Sequence, residues 1–224
     1  MYRKVADCAM GRNPGVMRFL SSTVEFMIIA VEGPSAAGKT TFCRGLDQTF
    51  VTEYRPTGRE PDSDDIEVPA HYWANVSTSR WNTARILEGD TGLAVCDTDP
   101  MKLHHTWSLA RIGAVPAERF ELESELVREA LVEKRIGFVD TVLVEFPAPE
   151  VLRERRDKDT SRERTDFELH LKLIEPMREW YRALDVVDPG RVLGWDVDIN
   201  ALRPRDRRYD ASLLDALLAA LPPL

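Results

Sequence analysis

Residues 28–41 read IIAVEGPSAAGKTT, an apolar run that gives way to small residues and closes on Gly-Lys-Thr-Thr. Gly33 to Thr40 satisfy the pattern G-x-x-x-x-G-K-[ST] at every fixed position, directly after a strand candidate and before a helix-compatible segment. The residue types follow from one task. A loop that wraps a polyphosphate must bring its backbone N–H groups close to the ligand, which excludes bulky side chains at Gly33, Ser35, Ala36, Ala37 and Gly38. The helix that follows adds the partial positive charge of its N-terminus. Lys39 then neutralises the terminal phosphates, and the hydroxyl of Thr40 (followed by Thr41) suits a magnesium ion. Chance would supply the four fixed positions in roughly one chain in a hundred of this length, and the correct flanks lower that further.

Working outward, short apolar runs recur at 25–31, 49–54, 93–97, 138–144 and 191–197. Most are nearly continuous, as strands buried on both faces should be, and helical patterns lie between them. The spacing predicts helices over 40–48, 76–88 (ended by Gly89), 117–135 (closed by Gly137), 167–184 (kinked or divided at Pro176) and 210–221. Strands alternating with helices imply crossover connections and a parallel α/β sheet, here in one domain over 25–224. Residues 1–24 read as a flexible extension.

The 224 residues suit one sizeable domain, and 43% hydrophobic with 30% charged residues is an ordinary globular balance. A formal charge of −8 speaks against nucleic acid as a partner. Three cysteines without metal-ligand spacing suggest a reduced compartment, and no run is long enough to span a membrane. With no apolar signal segment, the expectation is a cytoplasmic protein whose partner is a small molecule, with a homodimer left open.

Three further stretches bear on chemistry. In LAVCDTDP, Asp97 ends a strand at the carboxyl edge of the sheet, where it could complete a Mg²⁺ shell or orient an acceptor hydroxyl. Asp99 could reach a substrate, or cap a helix begun by Pro100. Glu53, in VTEYRP, is placed to accept a proton from an attacking hydroxyl. The run RERRDKDTSRER, 153–164, holds five arginines, one lysine and four acids. It reads either as a solvated helix or as a lid over a triphosphate, with Arg153, Arg156, Arg162 and Arg164 as the candidate contacts.

The order of phosphate loop, V-T-E-Y segment, aspartate-bearing strand, Arg-rich run and final VLGWDVD strand resembles the P-loop kinases of nucleosides, nucleotides and other small molecules. Its layout is most like the deoxynucleoside and thymidylate kinases. The Asp97-Thr98-Asp99 element is similar to nicotinamide riboside kinase domains and antibiotic phosphotransferases. The resemblance implies a three-layer fold with a five-stranded parallel sheet, ATP with Mg²⁺, a mobile lid at about 153–166, and transfer to a hydroxyl or phosphate. The D/E-R-S element of nucleoside kinases and the D-R-[YF/H] element of thymidylate kinases are both missing. Substrate recognition then falls to 55–92 and 100–116, where Trp73, Trp81 and His104 offer walls and Arg80 and Arg85 could hold an anionic acceptor. REPDSDDIE, 59–67, carries five acids in nine residues and would form an acidic lip. A nucleoside monophosphate kinase and a regulatory ATPase are the alternatives.

Overall fold

The computed structural model describes residues 26–61, 63, 65–160 and 166–224. The expected extension at 1–24, and Arg162 and Arg164 of the arginine run, lie outside them. Strand β1 (Met27–Glu32) runs into the phosphate loop and helix α1 (Lys39–Gly45). Helix α2 (Glu67–Thr91), strand β2 (Leu93–Asp97), and helices α3 (Leu103–Arg111) and α4 (Ala117–Val132) follow. Strand β3 (Thr141–Val144), helices α5 (Pro149–Lys158), α6 (Phe167–Lys172) and α7 (Ile174–Val187), strand β4 (Val192–Gly194) and helix α8 (Ala211–Ala220) complete the chain.

The sheet is parallel with order β2-β1-β3-β4. It has four strands where five were expected. The segment at 49–54 contributes only a bridge at Val51, whose N–H donates to the Val95 carbonyl and whose carbonyl accepts from the Asp97 N–H, each at 2.8 Å. The chain leaves the sheet edge after that pair, and the Tyr54 hydroxyl donates to the Glu60 carboxylate at 2.5 Å.

Every residue of β1 is buried, and its side chains alternate between two cores. Ile28 and Ala30 face a large core built with Trp81, Trp107, Leu131, Trp180 and Leu214. Met27, Ile29 and Val31 face a smaller one with Cys43 and Val95, covered by Phe42 and the 195–202 segment. This gives helix, sheet and helix in three layers.

Helix α2 begins nine residues earlier than its periodicity indicates and passes Gly89, which meets nothing that would stop it. It ends at Gly92 in the left-handed conformation, φ 82°. The 167–184 pattern divides at Leu173, and Pro176 sits in the first turn of α7, where its missing N–H costs nothing. Asp99 does not cap a helix starting at Pro100, since α3 opens at Leu103; its carboxylate accepts from the Met101 N–H at 3.0 Å instead. Asp210 caps α8 by accepting from the Ser212 and Leu213 N–H groups.

Candidate active site

The loop from Gly33 to Gly38 joins the carboxyl end of β1 to the first turn of α1. Gly33 has φ 153°, and a Cβ there would stand 2.5 Å from the Glu145 carbonyl oxygen. Gly38 adopts φ 103°, a conformation side chains rarely tolerate. Lys39 folds back over this loop, its Nζ donating to the Gly33 carbonyl at 2.8 Å and the Pro34 carbonyl at 3.4 Å.

Adjacent strands bring Asp97 beside the loop. The Thr40 hydroxyl donates to Asp97 Oδ2 at 2.5 Å, while Oδ1 is buried with no partner. Burial raises the Asp97 carboxyl above its ordinary range, opposed by the Thr40 hydrogen bond. A carboxylate with an orphaned oxygen beside a hydroxyl is the donor set that a hard divalent cation takes, so these residues fit Mg²⁺. The small-residue cradle and Lys39 likewise fit a polyphosphate.

Behind the loop stands Glu32, which ends β1 fully buried. It accepts from the Gly33 N–H at 3.2 Å and the Asp99 N–H at 2.8 Å, and lies 3.5 Å from His104 Nε2. Burial raises the Glu32 carboxyl above its ordinary range, and burial together with the Glu32 charge raises that of Asp99 to about 7. Burial pushes the His104 imidazole well below its ordinary range, so it is neutral; its Nδ1 lies 3.3 Å from the Tyr181 hydroxyl. His104 therefore belongs to a buried polar network that borders the site. His105 lies on the cleft wall as well, beside His170.

A cleft of about 590 Å³ is lined by Gly33, Ser35 and Lys39 of the phosphate loop, by Glu53, and by Tyr54, Trp73, Leu109 and Met177, which wall an apolar seat. Glu53 pairs with Lys102 at 3.2 Å. Tyr54 and Tyr72 each set a ring edge-on to Trp73, with centroids 5.2 and 5.1 Å away. Glu60, from the acidic stretch, accepts from the Tyr54 hydroxyl and the Thr57 and Gly58 N–H groups and so fastens the segment; Asp62 and Asp64 of the expected acidic lip lie outside the described residues.

Other expected substrate residues lie differently. Trp81 is buried in the core against Tyr209 and Gly137, away from the cleft. Arg85 pairs with Glu88 on the far turns of α2 and does not reach the cleft. Arg80 borders the cleft, but its guanidinium fans onto carbonyls: Asp97 at 2.8 Å, Thr98 and Asp99 at 3.1 Å, and Thr52 at 3.4 Å. It is a strut for the strand end through its two terminal nitrogens, while its Nε is buried without a partner. Helix propensity and charge count could not separate these roles, because each depends on which way α2 faces.

In the arginine run, Arg153 and Arg156 turn to Glu168 on α6, and Arg156 also lies 4.7 Å over the Phe167 ring. Arg155, which the sequence reading passed over, donates to the Ala37 carbonyl at 2.5 Å and so touches the phosphate loop. Its signal was present: Leu152 is the buried residue of α5, and position 155 shares its face. Glu32 was legible as an acid closing an all-apolar strand. Glu123 was legible as an acid between Phe120 and Val127 on the buried face of α4.

The phosphate loop follows the first strand of a parallel sheet ordered β2-β1-β3-β4, with Val51 beside β2, and the chain is similar in fold to a solved deoxyadenosine kinase. Among solved structures, deoxyadenosine kinase from M. mycoides with bound dATP superposes with TM-score 0.53 over 79% of this chain and 94% of its own, at 15% identity. The same kinase with products dCMP and a flexible dCDP gives 0.51 over 86% and 97%, also at 15%. The NadR protein in complex with NR overlaps less well: TM-score 0.44 at 20% identity, over 88% of this chain and 51% of its own. No protein-family model and no curated protein sequence matches the chain. Among the described residues, no helix is long and apolar enough to cross a membrane.

Proposed function

We propose that the protein is an ATP- and Mg²⁺-dependent phosphotransferase that moves the γ-phosphoryl group to a hydroxyl of a small molecule in the cytoplasm. The acceptor class spans nucleosides, sugar-like metabolites and antibiotics. One observation carries the reading: the phosphate loop, Glu53 and the aromatic-walled seat share a single cleft. Two unrelated binding sites would have no reason to be continuous.

When bound, Mg-ATP supplies the transferable phosphoryl group and much of the charge neutralisation that transfer requires. The loop amides and Lys39 hold the polyphosphate, with Thr40 and Asp97 as the residues fitted to the metal. Glu53 is the better general base of the two carboxylates. It borders the cleft, whereas Asp97 is committed to Thr40. Lys102, 3.2 Å away, orients Glu53 toward the acceptor's proton. Arg155 is the lid residue best placed to meet charge growing on the phosphoryl group.

The engagement of Arg80 and Arg85 with the protein itself weighs against a phosphate acceptor, and hence against a nucleoside monophosphate kinase. The test is ADP formation from Mg-ATP across nucleosides, nucleoside monophosphates, sugars and antibiotics, with Lys39→Met and Asp97→Asn alongside. Turnover dependent on one hydroxyl-bearing class and abolished in both variants is expected. Slow hydrolysis indifferent to every acceptor would replace this reading with a regulatory ATPase.

A further inference from the structure

Where β2 leaves the sheet, Thr98 stands in a conformation that its residue type disfavours. Its φ is 75°, in the left-handed region that a β-branched side chain rarely enters. The backbone is pinned there from both sides. The Thr98 N–H donates to the Val31 carbonyl, and Arg80 donates to the Thr98 carbonyl, each at 3.1 Å. A glycine would make both contacts without strain. The threonine hydroxyl, by contrast, is spent on nothing in the fold. Among the described residues its Oγ1 is buried with no hydrogen-bond partner, on a residue 2% exposed that lines the cleft. An unpaired buried hydroxyl and a strained backbone are both costly, and a ligand that engages the hydroxyl offsets them.

The neighbours indicate which ligand. Asp97, the preceding residue, forms with Thr40 the pair fitted to Mg²⁺. Such an ion bridges the β- and γ-phosphates, so a γ-phosphoryl group belongs beside the strand end that carries Asp97. Val31, which receives the Thr98 N–H, stands two residues before Gly33, where the phosphate loop begins. Other donors on this wall are engaged: Lys102 with Glu53, and the terminal nitrogens of Arg80 with carbonyls. An acceptor hydroxyl has Glu53 to take its proton. A phosphoryl oxygen needs a donor, and the Thr98 O–H supplies one.

We propose that Thr98 reads the γ-phosphate: its hydroxyl donates to an oxygen of the transferable phosphoryl group, and the left-handed backbone directs it there. Thr98 thereby separates a nucleoside triphosphate from a diphosphate at a position that the diphosphate does not fill. The proposal rests on the phosphotransferase reading only in that a triphosphate occupies the loop.

The experiment is calorimetric titration of the full chain with Mg-ADP and with Mg-AMP-PNP, beside urea unfolding without nucleotide. Thr98→Val keeps the shape and removes the hydroxyl, Thr98→Gly removes both hydroxyl and strain, and Thr98→Ser keeps the hydroxyl. The Val and Gly variants should bind AMP-PNP about 10- to 100-fold more weakly and ADP as before, whereas the Ser variant should match the parent for both. Without nucleotide, the Val variant should unfold at the parent's urea midpoint or above, because the hydroxyl it lacks had no partner to lose. Should it fail to fold, the Gly variant, free of the left-handed strain, decides the matter. AMP-PNP affinity unchanged in the Val and Gly variants would mean that the hydroxyl holds only a water, and would overturn the proposal. So would an equal loss of both nucleotides, or no binding of AMP-PNP by the parent chain. The AMP-PNP contrast in a chain that forms no acceptor-dependent ADP would keep Thr98 in this role and remove the phosphotransferase reading. Acceptor-dependent ADP formation without that contrast would do the reverse.

Discussion

At the scale of single residues, the site depends on a few atoms that have no substitute. Gly33 is one, because the atom a Cβ would meet is a backbone carbonyl that cannot swing aside. Gly33→Ala should destabilise the fold by about 1–3 kcal/mol and weaken nucleotide binding, read by urea unfolding and by ADP titration. Glu53 is a second. Glu53→Gln keeps its shape and its place beside Lys102 but loses proton affinity, so kcat should fall by about 10²- to 10⁴-fold with the KM for ATP little changed. A loss below about threefold in steady-state assays would remove Glu53 from the role of base.

At the scale of elements, α2 is as much a brace as a substrate wall. Its Arg80 gathers four carbonyls from the end of β2 and the 52 segment, and thereby fixes the turn in which Thr98 takes φ 75°. Arg80→Met should leave those carbonyls unpaired and cost on the order of 3 kcal/mol in urea unfolding. A loss confined to acceptor binding, with stability intact, would instead return Arg80 to the substrate. The elements also show where sequence patterning succeeds. The continuous burial of β1 and β2 and the break of the long C-terminal pattern near Pro176 were legible, because each depends on local apolar runs or on proline geometry. The 49–54 strand was not. Its β-branched run fits a strand locally, but only Val51 pairs with β2, while Tyr54 hydrogen-bonds Glu60, six residues on, a pairing that only the folded chain shows.

At the scale of the molecule, buried acids make stability depend on pH. Burial raises the Glu123 carboxyl from an ordinary value of 4.5 to about 7. Between those values the folded chain holds a proton that the unfolded chain has released, so stability falls as pH rises through this window. The contribution is fully present below pH 4.5 and lost above about 7, a span on the order of 3 kcal/mol. Glu123→Gln should flatten that part of the profile, measured as the difference from the parent in denaturant unfolding from pH 4.5 to pH 8. An unchanged slope would mean that Glu123 ionises as readily folded as unfolded.

The amino-acid sequence alone determined the phosphate loop, since close backbone approach and a lysine at fixed spacing are local requirements that side-chain size and chain order express directly. It also determined the parallel α/β plan, through runs apolar enough to be buried on both faces. Tertiary structure decided which charged residues serve the cleft. Arg80 became a strut, Arg85 an outer ion pair and Trp81 core, while Arg155 came to the phosphate loop and Arg119 and Glu123 to the cleft unannounced. The reason is geometric: a charged side chain acts where its helix face points, and that direction is set by which apolar residues the sheet and the neighbouring helices bury.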